Sequence, residues 1–239
     1  MSEPDRTYLK TILEQHREGS FSDLAPDKHF EIFTAEQILK RFALDSEDIE
    51  SGLTGGGLDE GVDSLYFMVD RRVIREDPEI KSFQKRDIQI DLIIIQSKLE
   101  RGFTEDTINR LMAMTNDLLD LSKNINQLKA TVYNVRLHET LERFRRTYKA
   151  LLIYRPALTI SFYYATQGDK PSANVRRKAE LLKQRVTELY SAATCKFEFV
   201  TAKDILTLYN KSLPKTITLS PPKSCRPLSS AQHTFVWFH

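Results

Sequence analysis

Two short segments of this 239-residue chain combine residue types suited to hydrolysis of a phosphodiester bond. The first, Gly55-Gly-Gly-Leu-Asp-Glu-Gly-Val-Asp63, places carboxylates on a glycine-rich turn that leads into an apolar run. The second, Ile94-Ile-Gln-Ser-Lys98, places an amide and an amine on one apolar stretch. Because side chains alternate across a strand, Gln96 and Lys98 are expected to project from one face, and Ile95 and Ser97 from the other.

These residue types meet the needs of a metal-assisted reaction. A hard divalent ion such as Mg²⁺ or Mn²⁺ prefers oxygen ligands and retains several waters, and Asp63 and Gln96 supply such oxygens. A lysine beside the ion can orient or deprotonate the attacking water and can offset charge that grows on the phosphate. The sequence assigns that role to Lys98.

The motifs resemble the PD-(D/E)xK nuclease superfamily, in the restriction-endonuclease-like (Mrr-like) branch where glutamine replaces the acid of the second motif. Together with His29-Phe-Glu-Ile-Phe-Thr-Ala-Glu36, they look like the amino-terminal part of abortive-infection phage-resistance (AIPR) proteins. The likeness spans roughly residues 25 to 210, through motifs that are weak singly and moderately specific together.

This resemblance implies a catalytic set of Asp63, Gln96, Lys98 and Glu31, with Asp63, Gln96 and Glu31 as ligands of Mg²⁺ or Mn²⁺. It also implies DNA as the substrate and bacterial anti-phage defence as the setting. Glu36 follows Glu31 on the same helix and points to nearly the opposite side, so only one of them can face the site. The sequence leaves open which one does.

Each motif also has a structural interpretation. The glycines can form a simple tight turn, and Asp63 can be a solvated turn residue. The turn does not fit a nucleotide loop, because Glu60 stands where a glycine is needed and no lysine follows Gly61. Two function classes therefore stay open: a metal-dependent nuclease, and a non-catalytic nucleic-acid-binding or protein-interaction module that is a degenerate or truncated nuclease remnant.

Composition sets outer limits on these classes. A hydrophobic content of 41% is enough for a sizeable core, and a formal charge of +2 provides no bulk basic field, so DNA binding must depend on local clusters. No apolar run predicts a membrane span or a secretory signal, and a cytoplasmic protein with no membrane partner is expected. Cys195 and Cys225 form neither a metal-ligand spacing nor a disulfide framework.

Hydrophobic periodicity predicts an α/β fold, in which a restriction-endonuclease-like mixed sheet flanked by helices is followed by a small α/β segment. The expected units are an amino-terminal helix at 1–24, the nuclease-like core at 25–149, an α/β continuation at 150–212 and an irregular, disordered tail at 213–239. Strands are expected at 64–74, 88–99, 158–164 and 195–200. Helices are expected at 5–18, 28–42, 46–50, from Thr104 as cap, and at 123–149, 174–190 and 202–209.

Several further expectations concern partners. AIPR proteins continue into a large carboxy-terminal domain, so the unusual tail suggests a truncated reading frame that lacks a regulatory domain or partner. Whether the chain forms a homo-oligomer is left open. The basic stretches 143–149 and 176–185 are interpreted as solvated helix faces. His16, His29 and His138 are interpreted as isolated surface or core residues.

Overall fold

The computed structural model describes residues 1–55, 61–78, 80–83, 86–125 and 133–211. The carboxylates at 59 and 60, the expected tail at 213–239 and Cys225 lie outside these ranges. Within them, no helix is long and apolar enough to cross a membrane.

The described chain folds around one five-stranded mixed sheet with the strand order β2-β1-β3-β4-β5. β1 pairs antiparallel with both β2 and β3, whereas β3, β4 and β5 run parallel. The predicted α/β class with a mixed sheet is therefore confirmed. The strands are β1 Ser64–Val69, β2 Arg72–Val73, β3 Gln89–Lys98, β4 Ala157–Thr166 and β5 Thr194–Val200.

Helices cover both faces of the sheet. They are α1 Glu3–Ser20, α2 Pro26–Leu39, α3 Ser46–Ser51, α4 Glu105–Met114, α5 Val135–Leu151, α6 Ala173–Leu189 and α7 Ala202–Asn210. One core packs α4, α5 and α6 against one face, and the other packs α1, α2 and α7 against the opposite face. We name these the α4–α6 face and the α1–α2–α7 face.

Strand alternation assigns the site residues to these faces. Ile94 belongs to the core of the α4–α6 face, whereas Ile93 and Ile95 belong to the opposite core. Gln96 is in step with Ile94, so it lies on the α4–α6 face, as Lys98 does. Ser97 lies on the α1–α2–α7 face, as the sequence predicted.

The expected strand at 64–74 is wrong in one respect, because the chain reverses within it. Val69 pairs with Arg72, and the two residues between them, Asp70 and Arg71, have φ of 49° and 66°. A two-residue turn with both residues in the left-handed region matches the twist of a hairpin. The segment is therefore a tight β1–β2 hairpin rather than a single strand.

The expected helix at 123–149 is also wrong at its beginning. After a π-helical turn at Thr115–Leu119, the described residues 120–125 contain no α-helix. α5 begins at Val135, where the Asn134 side chain accepts from the Arg136 N–H at 2.9 Å. Arg145 is buried and donates to the carbonyls of Leu118 and Lys123. This residue of the basic stretch therefore stabilises the preceding turn instead of lying on a solvated face.

Thr104 occupies the cap position of α4, as expected, but its side chain forms no capping hydrogen bond. Its hydroxyl contacts that of Thr107 at 3.1 Å, and the Thr107 hydroxyl donates to Tyr164 at 3.1 Å. The hydroxyl thus links α4 to β4 through Thr107 instead of closing the helix terminus.

Candidate active site

The base of the glycine-rich loop is tied to the start of β1. Leu53 forms an antiparallel bridge with Ser64. The Thr54 N–H donates to the Asp63 carbonyl at 3.0 Å, and the Thr54 hydroxyl donates to the Val62 carbonyl at 2.6 Å. Thr54 is buried, and these bonds hold Asp63 where the loop enters the sheet. No sequence motif identified Thr54, because its role depends on this pairing.

Two side chains near the start of α5 hold the same loop from outside. Asn134 donates to the Gly55 carbonyl at 2.7 Å, and Arg136 donates to the Leu53 carbonyl at 3.2 Å. Asn134 also caps α5, so one residue couples the helix terminus to the loop. Sequence reasoning did not single out either residue, since both contacts join distant parts of the chain.

Gly61 brings the loop against the site. Its φ is +78°, and a Cβ at this position would lie 3.0 Å from the Gln96 amide oxygen and 3.7 Å from the Arg110 Cβ. Only glycine adopts this backbone conformation readily and leaves room for the close approach. The same geometry places Arg110, a cation that the sequence did not single out, beside the loop.

The Asp63 carboxylate is buried, with 6% of the residue exposed. Its Oδ2 accepts from the Gln96 Nε2 at 2.8 Å and from the Ser97 N–H at 2.6 Å. Its own N–H donates to the Ile95 carbonyl at 3.0 Å. A buried carboxylate needs such donors to offset the loss of hydration. The structure thus brings together Asp63 and Gln96, two of the residues singled out in the sequence.

Gln96 is fully buried, and its amide is only half satisfied. The Nε2 donates to Asp63 Oδ2 and also to the Ser97 carbonyl at 3.1 Å, which uses both amide hydrogens. The Oε1 is buried and has no hydrogen-bond partner in the described part of the chain. Buried acceptors are rarely left unmet, because desolvation is then uncompensated. The Gln96 Oε1 is therefore the atom of the site that a hydrogen-bond donor or a cation of a ligand would stabilise.

Lys98 ends β3 on the same face as Gln96, and it is exposed. Its side chain forms no hydrogen bond or ion pair with the residues that the structure describes. Asp63 and Gln96 are thus held in place before any ligand binds, whereas the Lys98 ammonium is available to an anionic ligand.

The two candidate acids of the first motif point in different directions, as their helical spacing predicts. Glu31 is mostly buried on α2, and its carboxylate accepts from the Lys28 ammonium at 2.9 and 3.0 Å. Glu36 contacts the His16 Nε2 at 3.1 Å, on the side of α2 that meets α1. Because α2 packs on the α1–α2–α7 face, its body lies across the sheet from the Asp63–Gln96 pair.

His29 and His138 are buried core residues, as expected, but His16 and His29 are not isolated from each other. The His16 Nδ1 and the His29 Nε2 lie 3.0 Å apart, and the Phe33 ring packs edge-on against His16. Burial lowers the pKa of His29 to about 4, and the nearby charges of His16 and Arg17 act in the same direction. His16 continues the helical spacing of Leu9, Ile12 and Leu13, a signal that could have placed it at the α1–α2 interface.

The donor chemistry of the pair fits a hard cation. Asp63, just before β1, provides a carboxylate, and Gln96 on β3 provides an amide oxygen that has no hydrogen-bond partner among the described residues. The Gln96 amide nitrogen contacts the carboxylate, so the two side chains touch. The described ranges contain no group of three or more His, Cys, Asp or Glu side chains that could hold a metal. The remaining ligands would therefore be water and substrate phosphate, which is a common arrangement for Mg²⁺.

Comparisons of the chain with family models, with curated proteins and with solved structures found no match. An argument for function must therefore come from the geometry of the site and from the motifs themselves.

Proposed function

We propose that this protein is a metal-dependent nuclease that cleaves DNA phosphodiester bonds, with the restriction-endonuclease-like arrangement of a PD-(D/E)xK enzyme. The observation that carries the proposal is the Gln96 side chain, whose amide nitrogen donates to the buried Asp63 carboxylate and whose buried amide oxygen has no hydrogen-bond partner among the described residues. The motif resemblance extends the proposal to bacterial anti-phage defence of the abortive-infection type.

In this proposal each residue has a distinct task. Asp63 and Gln96 hold Mg²⁺ or Mn²⁺, and the bound ion supplies charge neutralisation at the phosphate and a more acidic water. The Ser97 N–H fixes the orientation of the Asp63 carboxylate, so no reorganisation is needed there. Lys98 contacts the phosphate or its attacking water from the end of β3.

The resemblance implies Glu31 as the third acid of the set, although α2 packs on the face of the sheet opposite to the Asp63–Gln96 pair. The Glu31 carboxylate forms an ion pair with Lys28, which lies three residues earlier on α2. We assign it a smaller contribution than Asp63, since Asp63 lies directly against Gln96. Glu36 is assigned to the contact with His16 rather than to catalysis.

One observation favours the second function class, a non-catalytic nucleic-acid-binding or protein-interaction module. The part of the chain that the structure describes provides only two oxygen donors at one place, and no three-residue cluster of metal-binding side chains. A degenerate nuclease would retain this geometry without turnover.

A plasmid-nicking assay with Mg²⁺ or Mn²⁺ tests the proposal. Lys98→Ala is expected to lower the cleavage rate by about 100-fold or more, while DNA binding and stability change little because the side chain is exposed. Lys81→Ala is the matched control, since Lys81 is an exposed lysine on the connection that precedes β3. It should cleave at the wild-type rate.

Two outcomes would contradict the proposal. If Lys98→Ala cleaves DNA at the same rate as Lys81→Ala, Lys98 has no role in the reaction. Metal-dependent DNA binding by the wild-type protein without any cleavage would favour the binding module.

A further inference from the structure

The strand at one edge of the sheet carries an unusual charge pattern. β5 pairs with β4 on one side, and the sheet of described strands ends there. Along β5, the side chains of Thr194, Lys196 and Glu198 are exposed, and the intervening Phe197 and Phe199 are half-buried. An exposed strand edge presents unpaired N–H and C=O groups to any strand that can approach.

The two charged side chains on this edge have opposite signs, and neither is in an ion pair with a described residue. Lys196 and Glu198 lie on the same face of β5 because they are two residues apart. Neither side chain forms a hydrogen bond or an ion pair with another residue in the described ranges. Edge strands are often protected by charged side chains, and like charges would repel a second copy. Here each copy offers one charge of each sign.

We propose that β5 pairs antiparallel with β5 of a second copy of this chain, with Phe197 on the two-fold axis. Lys196 then lies opposite the partner's Glu198, and Glu198 lies opposite the partner's Lys196. Such isologous contacts are the usual form of a symmetric dimer, and directly opposite unlike charges stabilise an antiparallel pair. The two sheets would join into one ten-stranded sheet, twice the five strands of each copy.

The charges select this register over its neighbours. Moving the two-fold axis to Lys196 places two lysines opposite each other, and moving it to Glu198 places two glutamates opposite each other. In-register parallel pairing also opposes like charges. Since like charges directly across a strand pair are destabilising, pairing centred on Phe197 is preferred.

Apolar contacts also favour the register centred on Phe197. Phe197 and Phe199 belong to an aromatic row, with ring centroids 4.9 Å from each other and with Phe199 5.2 Å from Phe103. In the proposed register, Phe197 meets its own copy and Cys195 lies opposite the partner's Phe199. Pairing would therefore cover aromatic surface that is half-exposed in one copy.

The interface is small, so the dimer should be weak and reversible. It does not depend on the proposed nuclease activity, and it concerns a strand separated from β1 by β3 and β4. A failure of the dimer would leave the proposed function untouched.

Sedimentation velocity over a wide range of protein concentration tests this proposal. The wild-type chain should show a concentration-dependent dimer, and Lys196→Glu and Glu198→Lys should each weaken it by about tenfold or more, because both cross-strand pairs become repulsive. An equimolar mixture of the two variants should restore the dimer, since each strand then meets opposite charges. Arg72→Glu, a matched charge reversal on the opposite sheet edge, should leave dimerisation unchanged.

The charge-exchange design separates the pairing from general effects of net charge. A wild-type chain that stays monomeric at the highest soluble concentration would overturn the proposal. So would equal weakening by Lys196→Glu and Arg72→Glu, or a mixture of the two β5 variants that does not associate. Circular dichroism verifies that each variant is folded, which is expected because the substituted side chains are exposed.

Discussion

Two polar clusters on opposite faces of the sheet contain residue types that enzymes use for catalysis. The Asp63–Gln96 pair lies on the α4–α6 face, and the second cluster, His16 with His29 and Glu36, lies between α1 and α2 on the other face. In the histidine cluster, both ring nitrogens of His16 have a partner. In the carboxylate–amide pair, the Gln96 Oε1 has none among the described residues.

Under the proposed function, this difference separates a structural cluster from one that binds a ligand. A cluster whose polar atoms satisfy each other fastens two helices and gains nothing from a ligand. A buried pair that leaves one strong acceptor unmet gains from any donor or cation that reaches it. Residue type alone does not distinguish the two cases, because histidine and aspartate both serve as catalytic groups in enzymes.

The largest expected effect comes from removing the Asp63 carboxylate from the Asp63–Gln96 pair. Asp63→Ala leaves the Gln96 amide and the Ser97 N–H buried without their acceptor, so we expect a loss of about 2–3 kcal/mol in the free energy of unfolding. Metal-dependent cleavage should disappear as well. Urea denaturation measures the first effect and plasmid nicking the second.

The nearly isosteric variant Asp63→Asn is the control for shape. Both donors contact the same carboxylate oxygen, and the amide oxygen of asparagine can replace it, so this variant should be more stable than Asp63→Ala but equally inactive. Equal stability of Asp63→Ala and the wild-type chain would show that the hydrogen bonds to Asp63 are not structurally important.

The cluster of His16, His29 and Glu36 should make the stability of the protein depend on pH. Burial lowers the pKa of His29 from 6.5 to about 4, so between these values the unfolded chain binds more protons than the folded chain. Protonation of His29 therefore favours the unfolded chain at acidic pH, and the free energy of unfolding should fall as the pH drops from 6.5 towards 4. The free energy of unfolding at pH 7 and pH 5 measures this loss.

His29→Phe isolates the contribution of that histidine from other titrating groups. The variant should lose less stability than the wild-type chain between pH 7 and pH 5, while cleavage at pH 7 stays at the wild-type level. An equal loss in both proteins would assign the pH dependence to groups other than His29. Asp91 would act in the opposite direction, because burial raises the pKa of its carboxyl and protonation at lower pH then favours the folded chain.

The smallest expected effect compares two glycines of the same loop. Gly61 and Gly55 both have positive φ, at +78° and +55°, but a Cβ would meet the Gln96 Oε1 only at Gly61. Gly55→Ala should therefore show backbone strain alone, of about 1 kcal/mol, and Gly61→Ala should lose more and should also slow cleavage. Thermal unfolding of both variants measures the difference. Identical behaviour would remove Gly61 from the site.

Some features of the site could be predicted because they depend only on local geometry. The alternation of a strand places Gln96 and Lys98 on one face of β3, and the apolar residues around them made that strand easy to recognise. The same holds for α1 and α6, whose apolar stripes have helical spacing. The opposed directions of Glu31 and Glu36 also follow from helical spacing alone.

Other features could not be predicted from local patterns. Asp70 and Arg71 adopt left-handed backbone conformations without the usual glycine or asparagine signal, so the β1–β2 hairpin was missed. The start of α5 depends on the Asn134 cap, and Arg145 is buried because it meets carbonyls of a preceding turn. Each of these outcomes depends on a competing contact rather than on hydrophobic period.

The sequence by itself determined the residue types, their faces and the α/β class, because backbone geometry sets the period of every strand and helix. Only the tertiary structure decided that the Ser97 N–H reaches Asp63, that the Gln96 oxygen is left unmet, and that His16 meets His29. It also decided that β5 lies at an edge of the described sheet, with its charges unpaired. These contacts join elements far apart in the chain, and sheet register and helix docking set them, which no local pattern encodes.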